Sequence, residues 1–140
     1  MNRDIWGVFH DGEITKIAGT VPGDLRVEVE IGYLRKLFPE PGHTFFVELR
    51  NCSKFEFSEY DEAPSTSLAH IQERRPMILY VTSQEPLVLD CAMGTLELDY
   101  SQMEVLLPSG RSITAHELTE ACDRYWREWQ EKANANGNAQ

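Results

Sequence analysis

Apolar and polar residues alternate with period two along most of this chain, and the alternation is broken at short intervals by turn residues. That pattern predicts a meander of short antiparallel strands. The clearest case is 25–31: Leu25, Val27, Val29 and Ile31 fall on one face, and Arg26, Glu28 and Glu30 on the other. Before it, Ile5 to His10 and Glu13 to Gly19 read as two strands joined by Asp11-Gly12, a pair suited to the positive φ of a tight hairpin. Val21-Pro22-Gly23-Asp24 reads as a type II turn. Tyr33 to Phe38 reads as a short helical turn, and Pro39-Glu40-Pro41-Gly42 as a loop. Thr44 to Arg50 and Lys54 to Ser58 are the next strands, with Asn51-Cys52-Ser53 between them.

The segment 59–67 is polar and acidic and reads as a loop, after which Ser65 or Thr66 would cap a short helix through Arg74, with Leu68 and Ile71 facing inward. Pro76 ends that helix. Three strands follow, at 77–82, 87–92 and 95–107, the last interrupted near Tyr100, with a turn at Met93-Gly94.

The last element is the best specified. Thr114 and Glu117 have the spacing of a capping box, flanked by Ile113 and Leu118 at the positions of a hydrophobic staple. Leu118, Cys122, Tyr125, Trp126 and Trp129 then recur at helical spacing as one apolar stripe. An apolar stripe must be covered, and the open face of the sheet is the expected partner. The alternative is that part of it stays exposed as a protein-binding hot spot, a role that favours Trp and Tyr. The fold class expected is therefore α+β: a mainly antiparallel sheet, either a meander or a partly closed barrel, packed by one C-terminal amphipathic helix. Residues 1–132 form a single domain, and 133–140, rich in Ala and Asn, are expected to be a disordered tail.

With 140 residues, 41% of them hydrophobic, the chain can bury a core without staples. Its formal charge of −10 argues against nucleic acid and anionic membranes as partners. The same charge suits a basic protein, although it also serves solubility. No apolar h-region stands near the start and no stretch is long enough to cross a bilayer, so the expected location is the cytoplasm. Cys52, Cys91 and Cys122 are odd in number and widely spaced, which makes a poor disulfide framework.

Candidate chemistry is sparse. His10, His43, His70 and His116 are scattered and form no metal-ligand spacing. Cys91 and Cys122 fall on apolar faces, and only Cys52, between Arg50 and Lys54, has basic neighbours. The carboxylate pairs Glu28/Glu30 and Glu97/Asp99 have the spacing of a solvated strand face. Phosphate-binding glycine loops and the nucleophile-elbow motif are missing from the sequence. No catalytic, cofactor-binding or metal-binding residue is therefore assigned, and no cofactor is expected.

Val21-Pro22-Gly23-Asp24-Leu25, Tyr33-Leu34-Arg35, Asn51-Cys52 with Phe55-Glu56-Phe57, and Tyr125-Trp126 with Trp129 together resemble a group of small, uncharacterised bacterial proteins, from Trp6 to Trp129. Proteins of this size and type are similar to the immunity proteins of bacterial toxin systems. The resemblance implies a non-enzymatic inhibitor that binds a basic toxin domain, and it brings no catalytic residues. On that reading the contact surface is acidic: Glu56, Glu59, Asp61 and Glu62, joined by Glu28, Glu30 and Glu48. Two alternatives remain. One is a small enzyme whose site is assembled from distant residues, with Cys52, His10 and His43 as first suspects. The other is a structural subunit of a homo-oligomer.

Overall fold

The computed structural model describes residues 1–138. Two open antiparallel sheets share one apolar core, and a long C-terminal helix lies at one end. The elements in chain order are a 3-10 helix at Arg3–Phe9, β1 (Glu13–Gly19), β2 (Gly23–Glu30), α1 (Gly32–Arg35), β3 (Thr44–Cys52), β4 (Lys54–Glu59) and α2 (Leu68–Arg74). They continue with β5 (Ile78–Gln84), β6 (Leu87–Cys91), β7 (Gly94–Asp99), β8 (Gln102–Leu106), β9 (Ser112–Ile113) and α3 (Ala115–Asn138). The first sheet runs β1-β2-β3-β8-β9 and the second β4-β7-β6-β5.

Register follows the alternation. Val27 stands opposite Val47, which stands opposite Val105, and Leu25, Leu49 and Met103 form the next row. In the second sheet Phe55 pairs with Leu98 and Leu98 with Leu87, while Phe57, Leu96 and Leu89 make the parallel row. All these side chains are buried, each worth about 2 kcal/mol in area removed from water. The α+β class with mainly antiparallel sheet is as the alternation predicts, and the sheets form no closed barrel.

The expected meander is instead two layers, because β3 and β4 are not neighbours. The chain changes sheets at Asn51-Cys52-Ser53, where Asn51 takes φ 51°. An Asp24 carboxylate oxygen accepts the Asn51 N–H at 2.9 Å, and the Ser53 N–H donates to the Asp99 carbonyl at 2.9 Å. The return strand bends at the same place, with the Ser101 N–H donating to the Arg50 carbonyl at 2.9 Å. The two crossings thus lie side by side and brace each other. Arg3 binds Asp99 from the N-terminal end, and this contact, more than any other, holds the Asp99 carboxyl below its usual range.

Several local expectations differ in the structure. Ile5 to His10 is not a strand: Ile5, Trp6 and Phe9 are buried together as one face of the 3-10 helix, and Trp6 Nε1–H donates to the Tyr100 hydroxyl at 3.0 Å. Asp11-Gly12 does turn the chain, with Asp11 at φ 69°, yet it joins a helix to a strand and not two paired strands. The 21–24 turn has a cis bond before Pro22 and Gly23 at φ 146°, so it is not type II. A Cβ on Gly23 would stand 2.8 Å from Thr20 Oγ1. The cap of α2 is Ser67, whose hydroxyl accepts from the His70 N–H, while Ser65 makes a bridge with Phe57.

Around α1, the buried Arg35 side chain donates to three backbone carbonyls, those of Thr44 (3.0 Å), Glu40 (2.6 Å) and Pro41 (3.1 Å). It therefore fixes the loop between α1 and β3, and each of its three nitrogens has a hydrogen-bond partner.

The capping box at α3 forms as expected: the Glu117 N–H donates to Thr114 Oγ1 at 3.1 Å, and the Thr114 N–H to Glu117 Oε1 at 3.3 Å. Ile113 and Leu118 are both buried. What α3 covers is different. The two sheets bury their apolar faces in one shared core and turn their polar faces outward, so no apolar sheet face remains for it. It packs over the 3-10 helix and α1. The helix also runs past Lys132 through Asn138, so 133–138 of the expected tail are helical, and residues 139–140 lie outside the described residues. No helix among the described residues is long and apolar enough to cross a membrane.

Candidate functional site

Only the first turns of α3 are anchored. Leu118 and Ala121 are buried and Cys122 half-buried. Tyr125 is half-buried against Tyr33, their ring centres 4.3 Å apart. From there the stripe leaves the body. Trp126 is 41% exposed and Trp129 54% exposed, with their rings edge to face at 6.0 Å. The expectation that a sheet face covers the whole stripe therefore fails at Trp126 and Trp129, whose rings lie at the surface.

The two tryptophans continue a row that starts on β5. Tyr80, 60% exposed on the outer face of the second sheet, stands 5.3 Å from the His10 ring, and His10 stands 6.4 Å from Trp126. The row Tyr80–His10–Trp126–Trp129 thus spans a strand, the end of the 3-10 helix and α3.

His10 is held in place from two sides. Its Nδ1 lies 2.6 Å from the Leu79 carbonyl, which only accepts, so Nδ1 carries the proton. The His10 carbonyl accepts the Tyr33 hydroxyl at 2.5 Å. Burial pushes the Tyr33 phenol well above its usual range, which keeps it a donor. His10 Nε2 faces Asp11 Oδ1 at 3.6 Å.

The acidic residues do not gather into one surface. Glu28, Glu30 and Glu48 lie on the outer face of the first sheet. There Glu48 is bound by Arg26 and by Arg50 (3.0 Å), and Glu30 lies 3.6 Å from Arg75. Glu56 is on the outer face of the second sheet, on the far side of the core, 3.4 Å from Lys54. Glu59 lies 2.7 Å from Arg74 Nε. Asp61 and Glu62 are exposed in the loop after β4, with Asp61 at φ 65°. Lys54 and Arg3 likewise hold Glu97 and Asp99.

The suspects for an assembled catalytic site are not brought together. The Cys52 side chain is buried, with Sγ 3.2 Å from the Lys54 carbonyl, and burial raises its pKa despite the basic neighbours in sequence. Burial also pushes Cys91 up to about 12 and raises Cys122. His43 is exposed in the loop before β3. A shallow groove of about 530 Å3 runs between α3 and Leu37-Phe38-Pro39, rimmed by Arg111, Arg124 and Arg127. A smaller cleft of about 290 Å3 has Phe57 and Met77 in its lining, with Arg74 and Arg75. Neither contains Cys52, His10 or His43. Among the described residues, no three of His, Cys, Asp and Glu converge as metal ligands would.

No protein-family model, no curated protein and no solved structure matches the chain.

Proposed function

We propose that this protein is a non-enzymatic binding module whose partner docks on the Tyr80–His10–Trp126–Trp129 row, as an immunity-type inhibitor of a basic toxin would in the cytoplasm. The observation that carries the reading is the exposure of Trp126 and Trp129 on a helix stripe that is half-buried at Cys122 and Tyr125 and fully buried at Leu118. Large rings left in water cost free energy that a docking partner recovers, and Trp and Tyr dominate the energetic centres of interfaces. A net charge of −10 speeds encounter with a basic partner. On this reading the exposed Asp61 and Glu62 add to the attraction that steers the partner.

The test uses the protein as bait in lysate of its producing organism, beside the W126A/W129A variant, at low and high salt. The expected result is one stoichiometric basic protein, captured by the native chain at low salt and lost from the variant. Equal capture by both chains would show that the row is not the contact surface.

A further inference from the structure

Resting on that reading, we infer that the row receives a guanidinium: the partner presents an arginine-bearing segment that stacks on Tyr80, Trp126 and Trp129 and is neutralised by Asp11 and Asp90. Three observations lead there. The first is that these exposed rings meet other rings and carry no cation of the chain among the described residues. Three guanidinium groups of the chain already sit over aromatic rings, Arg3 over Tyr100 at 5.2 Å, Arg26 over Phe46 at 5.0 Å and Arg35 over Phe45 at 5.9 Å. Among the described residues none does so at Tyr80, Trp126 or Trp129.

The second observation is the charge at the rim. Asp90 stands directly across the strand pair from Tyr80. Asp11, its side chain 54% exposed, lies beside His10. Neither carboxylate is paired with Lys or Arg among the described residues, whereas Glu48, Glu56, Glu59 and Asp99 all are. An aromatic floor edged by carboxylates that no Lys or Arg neutralises attracts a cation twice, through the ring quadrupole and through opposite charge.

The third is what the surface would reject. An apolar segment laid over the row would desolvate Asp11 and Asp90 without replacing their water. A second copy of this chain would bring another −10 charge and the same carboxylates. Nucleic acid is repelled by the same charge. Between the two basic side chains, arginine is flat and weakly hydrated, so it stacks on a ring and still forks onto a carboxylate, which the ammonium of lysine does not do.

The test titrates the full-length protein by calorimetry with an acetylated Gly-Arg-Gly-Arg-Gly peptide and with the same peptide carrying neutral, isosteric citrulline. The arginine peptide should bind about tenfold tighter than the citrulline peptide, the span expected of a desolvated cation–π contact. It should weaken with D11N/D90N and vanish with W126A/W129A. Equal binding of the two peptides, or no binding of the arginine peptide, overturns the guanidinium assignment. The captured partner separates the two levels. A partner lost from W126A/W129A but held unchanged by D11N/D90N keeps the binding module and removes the guanidinium, while a partner held by both variants removes both.

Discussion

Over its first turns α3 buries Leu118 and Ala121 against the 3-10 helix and α1, while two turns further on the same stripe leaves Trp129 54% exposed. The residues look alike in sequence, and their surroundings do not. The first half has a cap, a staple and a body beneath it. The second half overhangs: 127–136 are exposed, on a helix of 24 residues that reaches about 36 Å. An amphipathic pattern states which side of a helix is apolar. Whether anything lies beneath that side is decided by the tertiary fold, and here the body ends near Trp126. The contrast divides the helix into a part that holds the fold together and a part available to a partner.

The largest expected effect lies in the anchored half. Leu118→Ala removes a fully buried side chain and should cost about 3 kcal/mol, read from the denaturant midpoint. A loss under about 1 kcal/mol would mean that the first turns are not anchored, and the contrast would fail. Thr114→Ala removes the hydroxyl that accepts the Glu117 N–H and should cost about 1 kcal/mol, with Thr114→Ser restoring most of it.

Acid tests the crossings between the sheets. Asp24 and Asp99 titrate below their usual range, the first chiefly because its carboxylate accepts the Asn51 N–H and the second chiefly because of Arg3. A depressed carboxylate stabilises the fold at pH above its unfolded pKa, about 3.9 for Asp, and that contribution is lost as pH falls through the folded value. Amides of 50–54 and 99–102 should therefore lose exchange protection below about pH 4, before those of the first turns of α3. Loss of protection in α3 first would place the weak point elsewhere. The smallest stability effect is expected at Trp129→Ala, within about 0.5 kcal/mol, since that ring is mostly in water.

Much of the fold is legible in the sequence where side chains alternate strictly. Leu25 to Glu30, with Leu25, Val27 and Val29 turned to the core, and the Thr114–Glu117 box are local patterns, and each forms where its residues place it. The N-terminal strand fails for a physical reason. In Ile5-Trp6-Gly7-Val8-Phe9 the apolar run fits period two or a helical turn, and only packing of Ile5, Trp6 and Phe9 into the core selects the helix. The change of sheet at Asn51 was illegible because it depends on Asp24 and Asp99, 27 and 46 residues away from their partners. The aromatic row was half legible. Trp126 and Trp129 stand out in the helix, but Tyr80 and His10 join them only through the packing of β5 against the 3-10 helix. The acidic residues were legible as a count and not as a surface, because the fold sends Glu28, Glu30 and Glu48 to one side and Glu56 to the other.

Trp126 and Trp129 are open in the free protein, and the proposed docking covers them in the complex. Acrylamide quenching of tryptophan fluorescence measures this directly, because Trp6 is fully buried and serves as the internal reference. The free protein should show two accessible tryptophans and one protected, and the complex with the captured partner should protect all three. Quenching of Trp126 and Trp129 that is the same with and without the partner would show that the partner docks elsewhere.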